Sequence, residues 1–430
     1  MPDLTNQLLP TLKAHKIPGL DLPEELIHPY YSGYSILNTP NSICQLLEIP
    51  KMNDIPALAP EILSPLGDGI SKVLVILMDA LALHRLQAWM DTEPEMVWNQ
   101  LAKDGVLAPL TSISPSTTSA AITTYWTATS PSAHGITGYE MWLKQYGMVV
   151  NSILHTPVSF KTGGAGVLRN AGFSPEDFLP VTSIGPHLAE QDVATHVFQH
   201  HSIIHSGLSQ MFFTEVERHG TGGAVDMWYQ IRQLWGSHTA GKLYTWAYWP
   251  EVDGLSHLYG PDDPRIAAEF ASFSRDFETQ FLNQLTPAER EGTAVILTAD
   301  HGQLTTNKLD DHYDLKNHPQ FTRRLHILPT GENRLAFLHV RPGQTEAVRE
   351  YVERTWPNQF TLLESEYATE KGLFGPGESH TDLLNRVGDL VAIANGEAFW
   401  WWGDKPNPII GRHGGLSAHE MLVPFFAARL

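Results

Sequence analysis

Three short strings place imidazoles beside carboxylates or glycines. Asp253-Gly-Leu-Ser-His257 sets a carboxylate and an imidazole four residues apart, which lets both reach one cation from a tight loop or one helical turn. Asp300-His301-Gly302 puts two more donors side by side, next to a glycine that lets the backbone turn sharply. His413 stands between Arg412 and Gly414-Gly415, where bulky side chains are absent. With Asp79 these make three aspartates and three histidines, enough for two zinc-like ions once a nucleophile or water completes each shell. Three carboxylates against two divalent ions leave a charge of about +1, which attracts an anionic group such as a phosphate ester. Candidate nucleophiles lie in Ser112-Ile-Ser-Pro115-Ser-Thr-Thr118-Ser119 and the residues to Thr127. There, small hydroxyl residues feed a run of helix length, and a helix N-terminus favours an anion.

Strand-like runs must position these groups. Lys72 to Asp79 and Thr293 to Asp300 are continuous apolar runs ending in an acid, as expected of parallel strands buried on both faces. Lys242 to Asp253 is a third candidate strand whose downstream end again carries an aspartate. Helical periods over Ala224 to Trp235 and Asp263 to Leu285 separate the runs, so the expected fold is α/β, with a doubly wound, mostly parallel sheet. In such sheets ligands bind beyond the carboxyl ends of the strands, where Asp79, Asp253 and Asp300 would meet. Residues 1–70, rich in proline and leucine, are read as an extension packed on the core. Residues 71–302 and 399–430 are read as the metal-binding core, and 303–398 as a smaller α/β cap. His200, His201 and His205 have no acid at ligand spacing and are read as loop or sheet residues. Phe399-Trp-Trp-Trp402 and Trp246 to Trp249 could stack a base or aryl group, and their strand-like spacing reads as core or interface.

The chain has 430 residues, 42% of them hydrophobic, enough to bury one or two substantial cores. A formal charge of −19 argues against a nucleic-acid polymer or an anionic membrane as partner. The single cysteine, Cys44, forms no internal disulfide and supplies no Cys-rich zinc site. The longest apolar runs are strand-sized and no basic leader opens the sequence, so a cytoplasmic location is expected.

The motifs are collinear: Met78-Asp79-Ala80, Pro115-Ser-Thr-Thr118, His134-Gly135, Asp253-x3-His257 with Gly260-Pro261, Asp300-His301-Gly302 and His413-Gly414. Over about residues 70–425 this set resembles the alkaline phosphatase superfamily, and more closely its type I phosphodiesterase and nucleotide pyrophosphatase branch in bacterial forms. The resemblance implies one zinc held by Asp253, His257 and His413, and another by Asp79, Asp300, His301 and the nucleophile. Placing His134-Gly135 on the family's His-Gly sets that nucleophile at Thr118 rather than Thr117. The implied activity is two-metal hydrolysis of a small-molecule phosphate ester, most simply a phosphodiester, through a phospho-threonine intermediate.

Two positions depart from the family's nucleotide-cleaving members. Ser119 stands where an aromatic commonly follows the nucleophile, and Tyr139 where an asparagine follows the His-Gly, so nucleotide specificity does not carry over. Tyr139 is a candidate to donate its hydroxyl to a phosphoryl oxygen, and Asn151 to replace the missing amide. The sulfatase branch needs Cys or Ser followed by x-Pro-x-Arg, which Cys44-Gln-Leu-Leu-Glu does not match. A phosphomonoesterase or phosphonate hydrolase on the same metal pair is the alternative activity. A catalytically silent binding module is disfavoured, because it gains nothing from keeping so costly a cluster of like charges.

Overall fold

A computed structural model describes residues 3–158, 164–238 and 240–430. Its centre is a seven-stranded sheet in the order Gly105–Thr111, Leu422–Arg429, Thr293–Thr298, Lys72–Met78, Lys242–Trp249, Val193–His200, Glu217–Thr221. The last five run parallel to their neighbours, and Leu422–Arg429 runs antiparallel to the strand on either side of it. The apolar runs behave as their composition requires. Val73 to Met78 and Thr293 to Thr298 are buried at every position, because both faces of a parallel sheet are covered. The chain is therefore α/β with a doubly wound, mostly parallel central sheet.

Two expected boundaries move. The Lys242 strand stops at Trp249, since Pro250 cannot continue the ladder, and Asp253 lies in the first turn of the helix Glu251–Tyr259. The helical period expected over Asp263 to Leu285 is an α-helix only from Pro264 to Asp276; a π segment, Phe277–Phe281, and a short 3₁₀ turn follow. Near the start of the chain, the helix Thr5–Ala14 buries Leu8 and Leu12, and the Leu4 N–H donates to the Leu107 carbonyl on the edge strand at 2.8 Å.

A second seven-stranded sheet is antiparallel, in the order Phe360–Glu364, Leu390–Ala394, Leu335–Leu338, Thr330–Glu332, Glu140–Leu143, Met148–Asn151, Thr156–Pro157. It draws on 140–157 as well as on the stretch 303–398. The two parts meet through the Gly331–Glu140 pair, where Gly138, two residues before Glu140, lets the backbones approach closely. A Cβ on Gly138 would lie 2.7 Å from the Gly331 Cα. Alternation along Leu335–Leu338 sets Leu335 and Phe337 against the main core and Ala336 and Leu338 against a smaller one around Trp356 and Trp400. The strands Thr330–Glu332, Leu335–Leu338 and Leu390–Ala394 at the centre of this sheet are thus buried on both faces. Among the described residues no helix is long and apolar enough to cross a membrane.

Candidate active site

Parallel neighbours deliver their ends to one edge, so Asp79 and Asp300 arrive side by side beyond the Lys72 and Thr293 strands. Each carboxylate is half satisfied. Asp300 Oδ1 accepts the N–H groups of Ala80 and His301 at 3.1 and 3.0 Å, and Asp79 Oδ2 accepts the Tyr248 hydroxyl. Asp79 Oδ1 and Asp300 Oδ2 are buried with no hydrogen-bond partner. His301 Nε2 faces both of them, at 3.6 and 3.4 Å, and lies 3.1 Å from Thr118 Oγ1. Close packing at Gly302, where a Cβ would lie 2.1 Å from the His419 carbonyl, fixes the turn that aims His301 inward.

The second group forms around Asp253, on the helix whose four-residue spacing puts His257 one turn further along the same face. His257 Nε2 lies 3.3 Å from Asp253 Oδ2, and His413 Nε2 lies 3.8 Å from Asp253 Oδ1. The Gln303 side-chain amide donates to Asp253 Oδ1 and steadies it. The His301 and His413 rings stack with centroids 3.8 Å apart and join the two groups.

The donor set fits divalent cations. A carbonyl oxygen can only accept, so each Nδ1 that contacts one must carry the proton: His301 to Gly302 at 3.0 Å, His257 to Gly411 at 2.8 Å and His413 to Ser116 at 3.2 Å. All three Nε2 atoms then turn lone pairs inward, where they meet carboxylate oxygens that also only accept. A cation satisfies acceptors facing acceptors, and an imidazole anchored through its other nitrogen is the usual support of a metal ligand. The electrostatics agree. Burial, then the charges of Asp300 and Asp253, drive Asp79 well above the usual carboxylate range; burial and Asp253 raise Asp300. Burial acts to raise Asp253 as well, but His257 outweighs it: against its own burial, Asp253 raises the His257 pKa, and the protonated ring, its proton standing where a cation would, holds this carboxyl low. His413 is pushed well down by burial and by His301, which favours the neutral, ligating imidazole.

Thr117 and Thr118 face different partners. Thr118 opens the ten-residue helix Thr118–Thr127 and turns its hydroxyl to His301, whereas Thr117 Oγ1 donates to Glu332 Oε1 at 2.6 Å. That same Glu332 oxygen accepts the Tyr139 N–H at 2.7 Å, across the glycine joint between the two parts of the second sheet. Burial lifts the Glu332 carboxyl to about 7, although the Thr117 hydroxyl and Tyr139 N–H act to lower it.

A cavity of about 460 Å³ opens onto both groups, lined by Thr118, Asp253, His257 and His413 on one side and by Tyr139, Glu332, Trp401 and Trp402 on the other. All seven predicted ligand and nucleophile positions, Asp79, Thr118, Asp253, His257, Asp300, His301 and His413, fall within this one site. Tyr139, 43% exposed, lines the cavity, whereas Asn151 is buried and its Oδ1 accepts the N–H groups of Ile153 and Leu154 at 2.9 and 2.8 Å. Of the aromatic strings, Trp401 and Trp402 face the cavity, while Trp246, Trp249, Phe399 and Trp400 are buried in packing. The sequence reading missed Glu332, Gln303 and the Tyr248 hydroxyl. Only Tyr248 carried a signal, as part of an aromatic run at the end of a buried strand.

Comparison with known proteins places this geometry. Murine ectonucleotide pyrophosphatase / phosphodiesterase 5 has the same fold, with a TM-score of 0.60 at 18% identity over 83% of this chain and 88% of that one. An inactive form of that murine protein, in complex with AMP, superposes equally well. Phosphonoacetate hydrolase from Sinorhizobium meliloti 1021, in complex with phosphonoformate, gives a TM-score of 0.58 at 16% identity over 84% of this chain and 91% of that one. Against curated protein sequences the chain has no match. The family model described as type I phosphodiesterase / nucleotide pyrophosphatase matches residues 73–416, which hold every residue of the site, and the chain belongs to that family.

Proposed function

We propose that the protein is a two-metal hydrolase of small phosphate esters, with phosphodiesters as the preferred class and Thr118 as the nucleophile. The observation that carries the reading is the Thr118 hydroxyl, 3.1 Å from His301 Nε2 at the point where two unpartnered carboxylate oxygens converge. Asp79, Asp300, His301 and Thr118 would hold one divalent ion and Asp253, His257 and His413 the other, with zinc suited to the set. Such a pair, when bound, lowers the pKa of a nearby hydroxyl and neutralises charge on the phosphoryl oxygens.

The chain's own groups do the rest. Thr118 Oγ1 gives its proton to solvent and bonds to phosphorus, the leaving oxygen departs with the electron pair of its broken P–O bond, and water then bonds to phosphorus as Oγ1 leaves and regains a proton from it. Its place in the first turn of a ten-residue helix sets amide N–H groups and the positive end of the dipole near the phosphate. Thr117 is tied to Glu332 and positions the loop. Tyr139, at the cavity wall, is the proposed contact to a phosphoryl oxygen. Thr118→Ala should lower turnover of bis-p-nitrophenyl phosphate by at least about a thousandfold while two metal ions per chain remain by elemental analysis. Full activity in that variant would remove Thr118 from the role.

A phosphonate or monoester hydrolase on the same residues is the second reading, favoured by the fold shared with phosphonoacetate hydrolase. A clear preference for p-nitrophenyl phosphate or phosphonoacetate over the diester would select it.

A further inference from the structure

Arg412 precedes His413 and lines the cavity beside Asn333, Trp401 and Trp402, yet it is only 2% exposed. A buried guanidinium stays charged and needs an anion or a full set of acceptors. Four arginines are buried among the described residues. Arg85 and Arg334 hold carboxylates, Asp262 at 2.9 Å and Glu420 at 2.8 Å, and Arg386 lies in the field of Asp382. Among the described residues Arg412 has no carboxylate within ion-pair distance, and the charge nearest to it in effect is the positive Arg334.

Its acceptors are two neutral amide oxygens, Asn333 Oδ1 and, at 2.6 Å, Asn407 Oδ1, while Nε has none. A guanidinium carries five N–H donors, so most of its capacity is unused. The Phe399 ring, 4.1 Å from the guanidinium carbon, holds it in place without neutralising it. A buried, fixed and uncompensated cation on the wall of a substrate cavity is a receptor for an anion supplied from outside.

We infer that Arg412 determines specificity by receiving a second anionic group of the substrate, a phosphate or a carboxylate, carried on the organic part away from the reacting phosphorus. The inference rests on the hydrolase reading above. It explains how a pocket with two half-buried indoles selects for charge, since Trp401 and Trp402 would flank the organic spacer while Arg412 takes its far end.

The test compares three p-nitrophenyl phosphodiesters that share a chromophore and differ in the other ester group: ethyl, carboxymethyl and 2-phosphoethyl. The native enzyme should show kcat/KM for at least one anionic ester about tenfold or more above the ethyl ester, the size of a charge-assisted hydrogen bond. The faster of the two anionic esters identifies the group as carboxylate or phosphate. Arg412→Gln should bring the ratio close to one. Arg412→Lys, which keeps charge but loses the planar fork, should lower it severalfold. The ratio is internal to each variant, so a general loss of stability or of metal leaves it unmoved. Equal kcat/KM for the three esters in the native enzyme overturns the inference, as does a ratio that neither substitution changes. Should Arg412→Gln fail to fold, the native ratio and the lysine variant decide. Turnover of none of the esters brings down the hydrolase reading and this inference with it; turnover without preference brings down the inference alone.

Discussion

Glu332 offers a direct measure of the electrostatics at the joint between the two parts of the second sheet. Its carboxyl is raised from 4.5 to about 7, first by burial and then by the neighbouring Glu140. Between these two values the folded protein keeps a proton that the unfolded chain has released. Stability therefore falls as pH rises through this window and levels off above about 7. A rise from 4.5 to about 7 corresponds to roughly 3 kcal/mol, at about 1.4 kcal/mol per tenfold change in proton affinity. Glu332→Gln removes the titration and keeps the geometry, because a single oxygen, Oε1, accepts both the Thr117 hydroxyl and the Tyr139 N–H. Urea unfolding of both proteins at intervals from pH 5 to pH 8.5 should show the variant gaining on the native enzyme with rising pH, by up to about 3 kcal/mol. Every other titrating group is common to both proteins and cancels. Stability curves that run parallel across the whole range would show that the Glu332 carboxyl titrates alike in the folded and unfolded chain, and would refute the argument from burial.

Tyr248→Phe deletes the hydroxyl that Asp79 Oδ2 accepts, leaving that carboxylate free to rotate; competition with a chelator should show metal affinity weakened about 10- to 100-fold. Chelation of the native enzyme should cost about 3 to 4 kcal/mol if free ion stands at roughly 100 to 1,000 times its dissociation constant. The loss should be larger at pH 8 than at pH 5, because Asp79 and Asp300, both raised, keep protons in the metal-free fold at acid pH and must ionise against one another at alkaline pH. Thermal melts with and without chelator at the two pH values check it, and an equal loss at both would contradict the assignment of these carboxylates.

What could be read in the sequence was whatever local chemistry dictates. Asp79 and Asp300 were legible because an apolar strand buried on both faces cannot tolerate an acid until it ends, so each acid marks a strand's carboxyl edge. The Asp253–His257 pair was legible from its helical spacing, although Pro250 moved it off the strand. Glu332 was not, since nothing in Thr330–Glu332 announces that it pairs with Glu140 across nearly two hundred residues. Such a pairing depends on the close approach of Gly138 to Gly331, a fit that shows only when both segments are in place. Arg412 stood in plain view beside His413, but its missing counter-charge is a property of the space around it.

The strand Leu422–Arg429 lies inside the central sheet, between Gly105–Thr111 and Thr293–Thr298, although of that sheet's seven strands it comes latest in the sequence. During synthesis, then, the Gly105 strand has no place in the sheet until the chain beyond Arg429 has cleared the ribosome, and it waits with an unpaired edge. His413 emerges only shortly before, so the six-residue cluster of aspartates and histidines is also completed late. A nascent chain stalled between residues 301 and 413 holds the acids of the site without their last imidazole, and its Gly105 strand still lacks the neighbour that joins it to the sheet.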